Sequence, residues 1–157
     1  RSITMKRVRP LFSNGHWMFS EQLDPSKYLG FVYIIKDLRT GKMYIGKKQM
    51  VGTGRLNKGK ESDWCSYTGS CDALNKEISN RGIYEFLPIV LEQYMTKGTL
   101  SFAESWSLTI AEAPYNRLFY NTLIEKVSWR CSEPISVRHR SRLAAVLAGD
   151  TPNDSVI

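Results

Sequence analysis

The segment that decides the fold is residues 30–48, which read GFVYIIKDLRTGKMYIGKK. β-Branched and aromatic residues are concentrated in 29–36, which is typical of a strand. The turn residues after it include Gly41, which can adopt a positive φ, and 42–47 follow as a second strand. The segment therefore predicts a β-hairpin.

Each arm of this hairpin carries a tyrosine, Tyr33 and Tyr44, and the second arm ends in Lys47 and Lys48. A rigid sheet can hold two phenols side by side, and lysines beside them favour anions such as phosphate. The ordinary pKa of tyrosine is about 10, and cationic neighbours or a bound cation would lower the cost of forming its phenolate. The pair therefore indicates phosphodiester chemistry, although most strand tyrosines are structural.

The positive charge of the chain is concentrated in the same region. The 157 residues have a net charge of +7, and residues 30–60 alone contain eight basic side chains and one acidic side chain. Glycines alternate with basic residues in 48–63, which predicts a flexible loop long enough to have a function. Such a patch favours a polyanionic partner such as nucleic acid, and the structural alternative is a solvated loop.

Length and composition exclude several classes of protein. With 42% hydrophobic residues, the chain can form one domain with a real core. No apolar run approaches the ~18 residues that a membrane span needs, and no apolar stretch behind the basic N-terminus makes it a secretory signal. The cysteines Cys65, Cys71 and Cys131 lack the spacing of a disulfide framework or a zinc site, so we expect a reducing, cytoplasmic setting.

A helix and a third strand are predicted after the basic loop. Ser70 can form the N-cap of a helix over 71–81, with Gly82 as its C-terminal stop. Residues 85–93 are typical of a strand, in which Pro88 favours an edge position because proline lacks the backbone N–H.

Two more helices are predicted towards the C-terminus. In the first, over 100–113, Ser101 and Glu104 have the spacing of a capping box. Three apolar residues at helical spacing are expected to face its core side: Phe102, Trp106 and Ile110. The second helix covers 138–148.

The order of Tyr33, a glycine-containing turn and Tyr44-Ile45-Gly46 resembles the GIY-YIG nuclease family, in which two short motifs lie on adjacent strands. The second motif is intact in this chain. In the first motif the tyrosine is present, but Phe31 and Val32 stand where the family name has glycine and isoleucine.

The resemblance continues downstream and covers residues 29–125. The family places an arginine after the second motif and a metal-binding glutamate on a later helix, and Arg55 and Glu104 match these positions. It also ends with an asparagine, for which Asn121 is the candidate and Asn116 the rival.

Two further features bear on the resemblance. Residues 63–70, DWCSYTGS, are similar to a segment common in small phage-encoded members. Many members carry a histidine soon after the arginine, whereas this chain has Lys58 and Gly59 in that region. The absence of the histidine leaves Tyr33, or a metal-activated water, with more of the work of the base.

The resemblance implies a small α/β domain of the α+β type, with a three-stranded antiparallel sheet flanked by helices. It also implies one-step phosphodiester hydrolysis with a single divalent cation, Mg²⁺ or Mn²⁺. Tyr33 would deprotonate or orient the water, Glu104 would bind the metal, and Asn121 would brace the site. The scissile phosphate would be held by Tyr44, Arg55 and Lys48.

DNA is the partner that this scheme implies, and the candidate contacts fall into two groups. The first lies in and beside the basic loop: Lys47, Lys58, Lys60, Trp64 and Tyr67. The aromatic pair could stack on a base or wedge into a base step, although a tryptophan before a helix is more often a core anchor. The second group starts the last helix, which could equally pack or dimerise: Arg138, Arg140 and Arg142.

The predicted organisation is an N-terminal arm over 1–28, a nuclease domain over 29–127 and a basic C-terminal extension over 128–157. We expect a phage or mobile-element DNA endonuclease of the homing type, which nicks or cuts both strands in the cytoplasm of a bacterial host cell. The oligomeric state is open, with a monomer as the expectation, and no membrane partner is expected. The alternatives are a non-catalytic nucleic-acid-binding module on the same fold and a structural protein that binds an acidic partner.

Overall fold

The computed structural model describes residues 13–127 and 129–154. The N-terminal residues in which we expect no secretory signal lie outside the described residues, as does the first part of the predicted arm. Six main elements follow one another along the chain: β1 (Gly30–Asp37), β2 (Met43–Gln49), α1 (Asp72–Arg81), β3 (Phe86–Tyr94), α2 (Lys97–Ile110) and α3 (Val137–Leu147).

The three strands form one antiparallel sheet in the order β2-β1-β3. The predicted hairpin is confirmed: Gly41 has a φ of 76°, and its N–H donates to the Asp37 carbonyl at 2.9 Å. In the hairpin register Tyr33 lies opposite Gly46. The fold is therefore the α+β arrangement that the resemblance implied, a three-stranded antiparallel sheet with helices beside it.

The strand β3 lies at one edge of the sheet, as Pro88 predicted. The N-terminal arm covers part of this edge, because Met18 N–H donates to the Pro88 carbonyl at 2.8 Å and Val90 N–H donates to the Met18 carbonyl at 3.0 Å. Trp17 and Phe19, on either side of Met18, are each 1% exposed. The arm is therefore packed into the domain from residue 13 onwards.

The alternation of side chains along the strands creates two packed faces. On the face that we call the α1 face, Tyr33 packs in a cluster with Trp17 from the arm and Leu74 from α1. On the opposite face, the α2 face, Ile34 and Ile45 pack in a cluster with residues of α2 and α3. The sheet is therefore the central layer of the domain, and a slip of one residue in register would exchange the two faces.

The predicted start of α1 was wrong. Its N-cap is Cys71, without a side-chain capping bond, whereas the Ser70 hydroxyl lies 3.4 Å from the Tyr44 hydroxyl. Gly82 ends the helix with a φ of 88°, as predicted.

The predicted start of α2 was also wrong, by one turn. Thr96 is the N-cap, and its hydroxyl accepts from Thr99 N–H at 3.3 Å. Ser101 is therefore buried inside the helix, and Glu104 is not part of a capping box.

The predicted core face of α2 needs correction as well. Phe102 and Ile110 are 37% and 53% exposed, and Trp106 is only partly buried. The buried positions are one step round the helix, at Leu100, Ala103, Ser107 and Leu108. The helical spacing of apolar residues predicts one stripe of α2 as its core side. A different stripe is buried, because its small residues, such as Ala103 and Ser107, let the helix pack closely against the sheet.

The helix α3 packs against the α2 face. Ile135, Leu143 and Val146 belong to the same buried cluster as the sheet residues, and Arg142 Nε donates to the Val90 carbonyl at 2.7 Å. The C-terminal residues thus contribute to the main core. Among residues 13–127 and 129–154, no helix has the length and apolar character required to cross a membrane.

Candidate active site

Three tyrosines from different parts of the chain meet at the β2 side of the α1 face. The ring centroids of Tyr33 and Tyr44 are 6.2 Å apart, and those of Tyr33 and Tyr67 are 6.5 Å apart. Tyr33 and Tyr44 come from the hairpin, whereas Tyr67 comes from the segment that leads into α1. The side-by-side phenols predicted from the hairpin are therefore present, with a third phenol beside them.

Two glycines leave the space that these rings occupy. A Cβ on Gly46 would lie 2.4 Å from the Tyr33 hydroxyl, and a Cβ on Gly69 would lie 2.8 Å from Tyr44 Cε1 and 3.0 Å from the Tyr33 hydroxyl. Gly69 also has a φ of +93°. The glycine of Tyr44-Ile45-Gly46 thus has a physical explanation, since any side chain there would strike the tyrosine on the neighbouring strand.

The electrostatic environment of the tyrosines differs from the one expected. Burial raises the pKa of Tyr33 well above its ordinary value, and the nearby phenols of Tyr44 and Tyr67 and the carboxylate of Glu104 raise it further. Burial also raises the pKa of Tyr44, while its contact with Ser70 acts in the opposite direction. The expectation that cationic neighbours ease the loss of the Tyr33 proton is corrected, because burial has the largest effect on this phenol and raises its pKa.

Glu104 projects from α2 towards the same region. Its side chain is 14% exposed, and Lys47 Nζ lies 3.7 Å from its Oε1. Lys47 also donates to the Ser101 hydroxyl at 3.0 Å. Burial raises the pKa of the Glu104 carboxyl and Lys47 opposes this shift, so the lysine compensates the charge of a carboxylate that is largely removed from water.

The carboxylate oxygens of Glu104 are suitable ligands for a hard divalent cation that keeps most of its bound water molecules. Within the described part of the chain, no group of three or more His, Cys, Asp or Glu side chains could hold a metal ion. Mg²⁺ is often held by one or two carboxylates together with water and substrate phosphate. Glu104, a single carboxylate with a 14% exposed side chain, is consistent with that mode.

Asn121 is held against the outer edge of β2. Its Oδ1 accepts from Ile45 N–H at 2.9 Å, and its Nδ2 donates to the Ile45 carbonyl at 2.8 Å. Asn116, the rival position, instead accepts from Leu118 N–H within a local turn. Of the two asparagines, Asn121 is the one that contacts the strand carrying the second motif.

Lys48 is the basic residue whose ammonium lies beside the tyrosine cluster. Its Nζ is 3.9 Å from the centre of the Tyr67 ring and 2.7 Å from Asp63 Oδ1. Lys48 lies opposite Phe31 in the hairpin register, which places its side chain on the same face as Tyr44.

The remaining basic residues of the loop are exposed: Arg55, Lys58 and Lys60. The loop is more regular than its glycine content predicted, because Gly52 N–H donates to the Lys60 carbonyl at 2.8 Å and Gly59 N–H donates to the Gly52 carbonyl at 3.0 Å. Arg55 lies in this exposed part, without a hydrogen bond or ion pair to the described residues.

Two of the predicted DNA contacts are instead part of the core. Trp64 is 3% exposed, its indole N–H donates to Glu61 at 2.7 Å, and its carbonyl accepts from Trp17. Arg142 is 6% exposed and bonds to the Val90 carbonyl and Asp154. Both side chains are therefore used in packing and are not available to contact DNA.

The other two arginines of α3 remain at the surface to different extents. Arg138 pairs with Glu21 at 2.9 Å and with Glu92 at 3.0 Å. Arg140 is exposed, with its guanidinium 4.9 Å from the Trp106 ring centre. Of the three arginines of α3, Arg140 is therefore the one whose guanidinium has no carboxylate partner among the described residues.

Four residues that contact the candidate site residues were not predicted as part of the site: Gly69, Ser70, Asp63 and Ser101. The available signal was the Gly-Ser pair before a helix in the segment 63–70, which carries the resemblance to phage-encoded proteins. Local sequence alone does not place a turn that follows a long loop against a particular strand.

Comparison with known proteins places this geometry in a family. Residues 17–124 match the family model described as "Putative endonuclease segE, GIY-YIG domain". No curated protein and no solved structure gives a significant match. The matched residues include the arm from Trp17, the whole sheet, the three tyrosines, Glu104 and Asn121. The chain belongs to the GIY-YIG nuclease family and carries a segE-type GIY-YIG endonuclease domain.

Proposed function

We propose that this chain is a divalent-metal-dependent endonuclease that hydrolyses phosphodiester bonds of DNA. The observation that carries the proposal is the convergence of Tyr33, Tyr44 and Glu104. Tyr33 and Tyr44 pack side by side on adjacent strands, with ring centroids 6.2 Å apart. Glu104 on α2 pairs with Lys47 of the same strand β2 at 3.7 Å, and its charge contributes to the raised pKa of both phenols. Hydrolysis of a phosphodiester needs such a juxtaposition, because the water and the developing negative charge must both be stabilised.

Glu104 is the residue that would hold Mg²⁺ or Mn²⁺. A bound cation supplies charge stabilisation for the phosphoryl and leaving oxygens. Lys47 lies 3.7 Å from the Glu104 carboxylate and would donate to a DNA phosphate when that carboxylate binds a cation.

The buried phenol of Tyr33 favours an orienting role over a basic one. A neutral phenol can accept from the attacking water and hold it in line with the phosphorus, and its high pKa argues against a standing phenolate. Asn121 keeps β2 in place through Ile45. The scissile phosphate would be held by Tyr44, Lys48 and Arg55.

The exposed loop cations would hold the rest of the DNA backbone. Lys58 and Lys60 accompany Arg55 on the loop, and Tyr67 lies where a base or sugar could contact its ring. Arg140 provides a candidate contact on α3, and Arg138 could provide a further one only by exchanging its carboxylate partners for phosphate. We further propose a phage or mobile-element origin, action as a monomer in the bacterial cytoplasm, and either nicking or double-strand cutting.

The test is cleavage of a supercoiled plasmid with Mg²⁺ or Mn²⁺, resolved on native and denaturing gels. Tyr33→Phe and Glu104→Gln should each lower the cleavage rate at least ~100-fold while DNA binding in EDTA is retained. Tyr115→Phe is the matched control, since Tyr115 is 87% exposed, and it should cleave like the wild type.

Normal cleavage by Tyr33→Phe or by Glu104→Gln would refute the role of that residue. Salt-sensitive DNA binding by the wild type without cleavage in either metal would instead identify a non-catalytic binding module. The missing histidine and the raised pKa of Tyr33 are the observations that keep this second candidate in view. A protein that retains no nucleic acid at low salt would point to an acidic protein partner.

A further inference from the structure

The ammonium of Lys48 is enclosed between an aromatic ring and a carboxylate. The Tyr67 ring centre lies 3.9 Å from Nζ, and Asp63 Oδ1 lies 2.7 Å from it. The side chain of Lys48 is 18% exposed, whereas that of Asp63 is 70% exposed. The cation beside the tyrosine cluster therefore reaches solvent past a carboxylate that is itself mainly in water.

The contact has the properties of a displaceable ion pair. An ion pair whose acidic partner is mostly solvated contributes little to stability, so the domain loses little when it breaks. A carboxylate oxygen and a phosphate oxygen accept from the same ammonium donors at similar distances. An aspartate is ionised at neutral pH, and the bond to Lys48 lowers the pKa of Asp63 further, so the carboxylate can compete with phosphate there.

The position of Asp63 in the chain explains why this carboxylate, rather than its acidic neighbour, competes with phosphate for Lys48. The segment 30–60 has a net charge of +7. Asp63 lies three residues after it, on the stretch between the basic residues of the loop and Tyr67 of the tyrosine cluster. The neighbouring acidic residue of this stretch, Glu61, bonds to the indole of Trp64. Asp63 is thus the carboxylate of this stretch that faces a cation of the candidate site.

We propose that Asp63 takes the place of a DNA phosphate on Lys48 in the free protein and is displaced when DNA binds. This inference rests on the proposed function, since it names how the same site is occupied before its substrate arrives. Asp63 then acts as a specificity-determining residue, because a phosphate reaches Lys48 only if the remaining DNA contacts compensate for the broken ion pair. The affinity should therefore be lowered most for DNA that makes few other contacts with the protein.

The test measures binding of a short fluorescent duplex in EDTA, where cleavage cannot interfere. Asp63→Asn should bind about three to five times more tightly than the wild type, which corresponds to the loss of a competing surface ion pair. Asp72→Asn is the matched control, because Asp72 is an exposed acidic residue in the first turn of α1. It removes the same charge nearby and should change affinity by less than about twofold.

A double-mutant cycle with Lys48→Gln separates displacement from a general charge effect. The gain from Asp63→Asn should disappear in the Lys48→Gln background, and Asp63→Ala should reproduce the gain if the asparagine disturbs folding. Unchanged or weaker binding by both Asp63 variants would overturn the proposal, as would the same gain without Lys48. If the wild type binds no duplex at all, the proposed function fails together with it.

Discussion

At the scale of single residues, the tyrosine cluster depends on positions that have no side chain. Gly46 lies opposite Tyr33 across the hairpin, and Gly69 returns from the basic loop to touch both phenols. The two glycines bring backbone close to the rings from two directions. The phenol positions are therefore set by steric fit as well as by strand register.

Replacing Gly46 by alanine should damage the site directly. The new Cβ would lie 2.4 Å from the Tyr33 hydroxyl and 2.6 Å from its Cζ, so the buried ring must move. We expect a loss of stability of about 1–3 kcal/mol from overpacking and a cleavage rate at least ~10-fold lower. Both are measurable by denaturant unfolding and plasmid cleavage.

Gly54 provides the matched control for that variant. It lies in the same half of the chain, and a Cβ built on it meets no atom within 4 Å. Gly54→Ala should therefore leave stability and cleavage near wild-type levels. Equal behaviour of the two alanine variants would contradict the steric explanation.

His139 is a second residue whose role only its surroundings reveal. The Ser107 hydroxyl donates to the Ala103 carbonyl at 2.7 Å, so it must accept from His139 Nε2–H at 2.6 Å. The Tyr94 hydroxyl then donates to Nδ1 at 2.9 Å. A neutral imidazole can make both hydrogen bonds, to Tyr94 and to Ser107. Burial, and to a smaller extent the charge of Arg140, lowers the pKa of His139 to about 3.

This histidine should make the domain sensitive to acid. His139 binds a proton near pH 6.5 in the unfolded chain but only near pH 3 in the folded one. Its contribution to the free energy of unfolding is therefore fully present above pH 6.5 and is lost as the pH falls from 6.5 towards 3. Between pH 7 and pH 5 the loss should be about 2 kcal/mol. Denaturant unfolding at both pH values gives the measurement.

His139→Gln isolates the contribution of that side chain. The variant should be less stable at pH 7, because the bonds to Tyr94 and Ser107 are disturbed, but its stability should vary less between pH 7 and pH 5. An equally steep pH dependence in the variant would show that other groups cause the acid sensitivity.

At the scale of elements, the outer edge of β2 is closed by the segment that follows α2. Met43 N–H donates to the Leu118 carbonyl at 2.7 Å, and Tyr120 N–H donates to the Met43 carbonyl at 2.9 Å. The amide of Asn121 continues this pairing at Ile45. A side chain thus completes the hydrogen bonding of an edge strand, which would otherwise be open to other chains.

Asn121→Ala should therefore weaken β2 and the site that it carries. The Ile45 N–H and carbonyl would lose their partners, at a cost of about 1–3 kcal/mol in unfolding free energy. Asn116→Ala is the control, since it removes one bond in an exposed turn and should cost less than about 1 kcal/mol. Equal losses in the two variants would argue against a bracing role for Asn121.

At the scale of the whole molecule, the core extends beyond the match to the family model. That match ends at residue 124, but Ile135, Leu143 and Val146 are buried in the cluster that also contains Val32 and Leu91. We therefore propose that the segment predicted as a separate basic extension belongs to the nuclease domain itself.

A chain that ends at residue 127 should consequently fold poorly. Exposing the cluster would forfeit the burial of three apolar side chains, each contributing about 1.5–3 kcal/mol, against a total stability of about 5–15 kcal/mol for a typical domain. A chain ending at residue 154 keeps every described contact and is the control. Cooperative thermal unfolding of the shorter chain at the wild-type temperature would contradict this expectation.

The sequence alone determined the hairpin, the order of the elements and the edge position of β3. These features depend on local signals, namely alternating apolar residues, turn glycines and a proline, which act over a few neighbouring residues. The motif order also predicts Tyr33, Tyr44, Glu104 and Asn121 as site residues. Local signals were weaker at the helix starts, because α1 begins at Cys71 without a side-chain cap and Thr96 competes with Ser101 as the cap of α2.

Four features depend on the tertiary structure: the buried side of α2, the raised pKa of Tyr33, the contact of Asn121 with β2 and the partner of Lys48. Each of these depends on distances between segments that are far apart in the chain. Desolvation and Coulomb interactions vary with such distances, and an apolar stripe is buried only where the facing surface fits it. The sequence thus determined which residues are present in order, and packing determined which of them share one site.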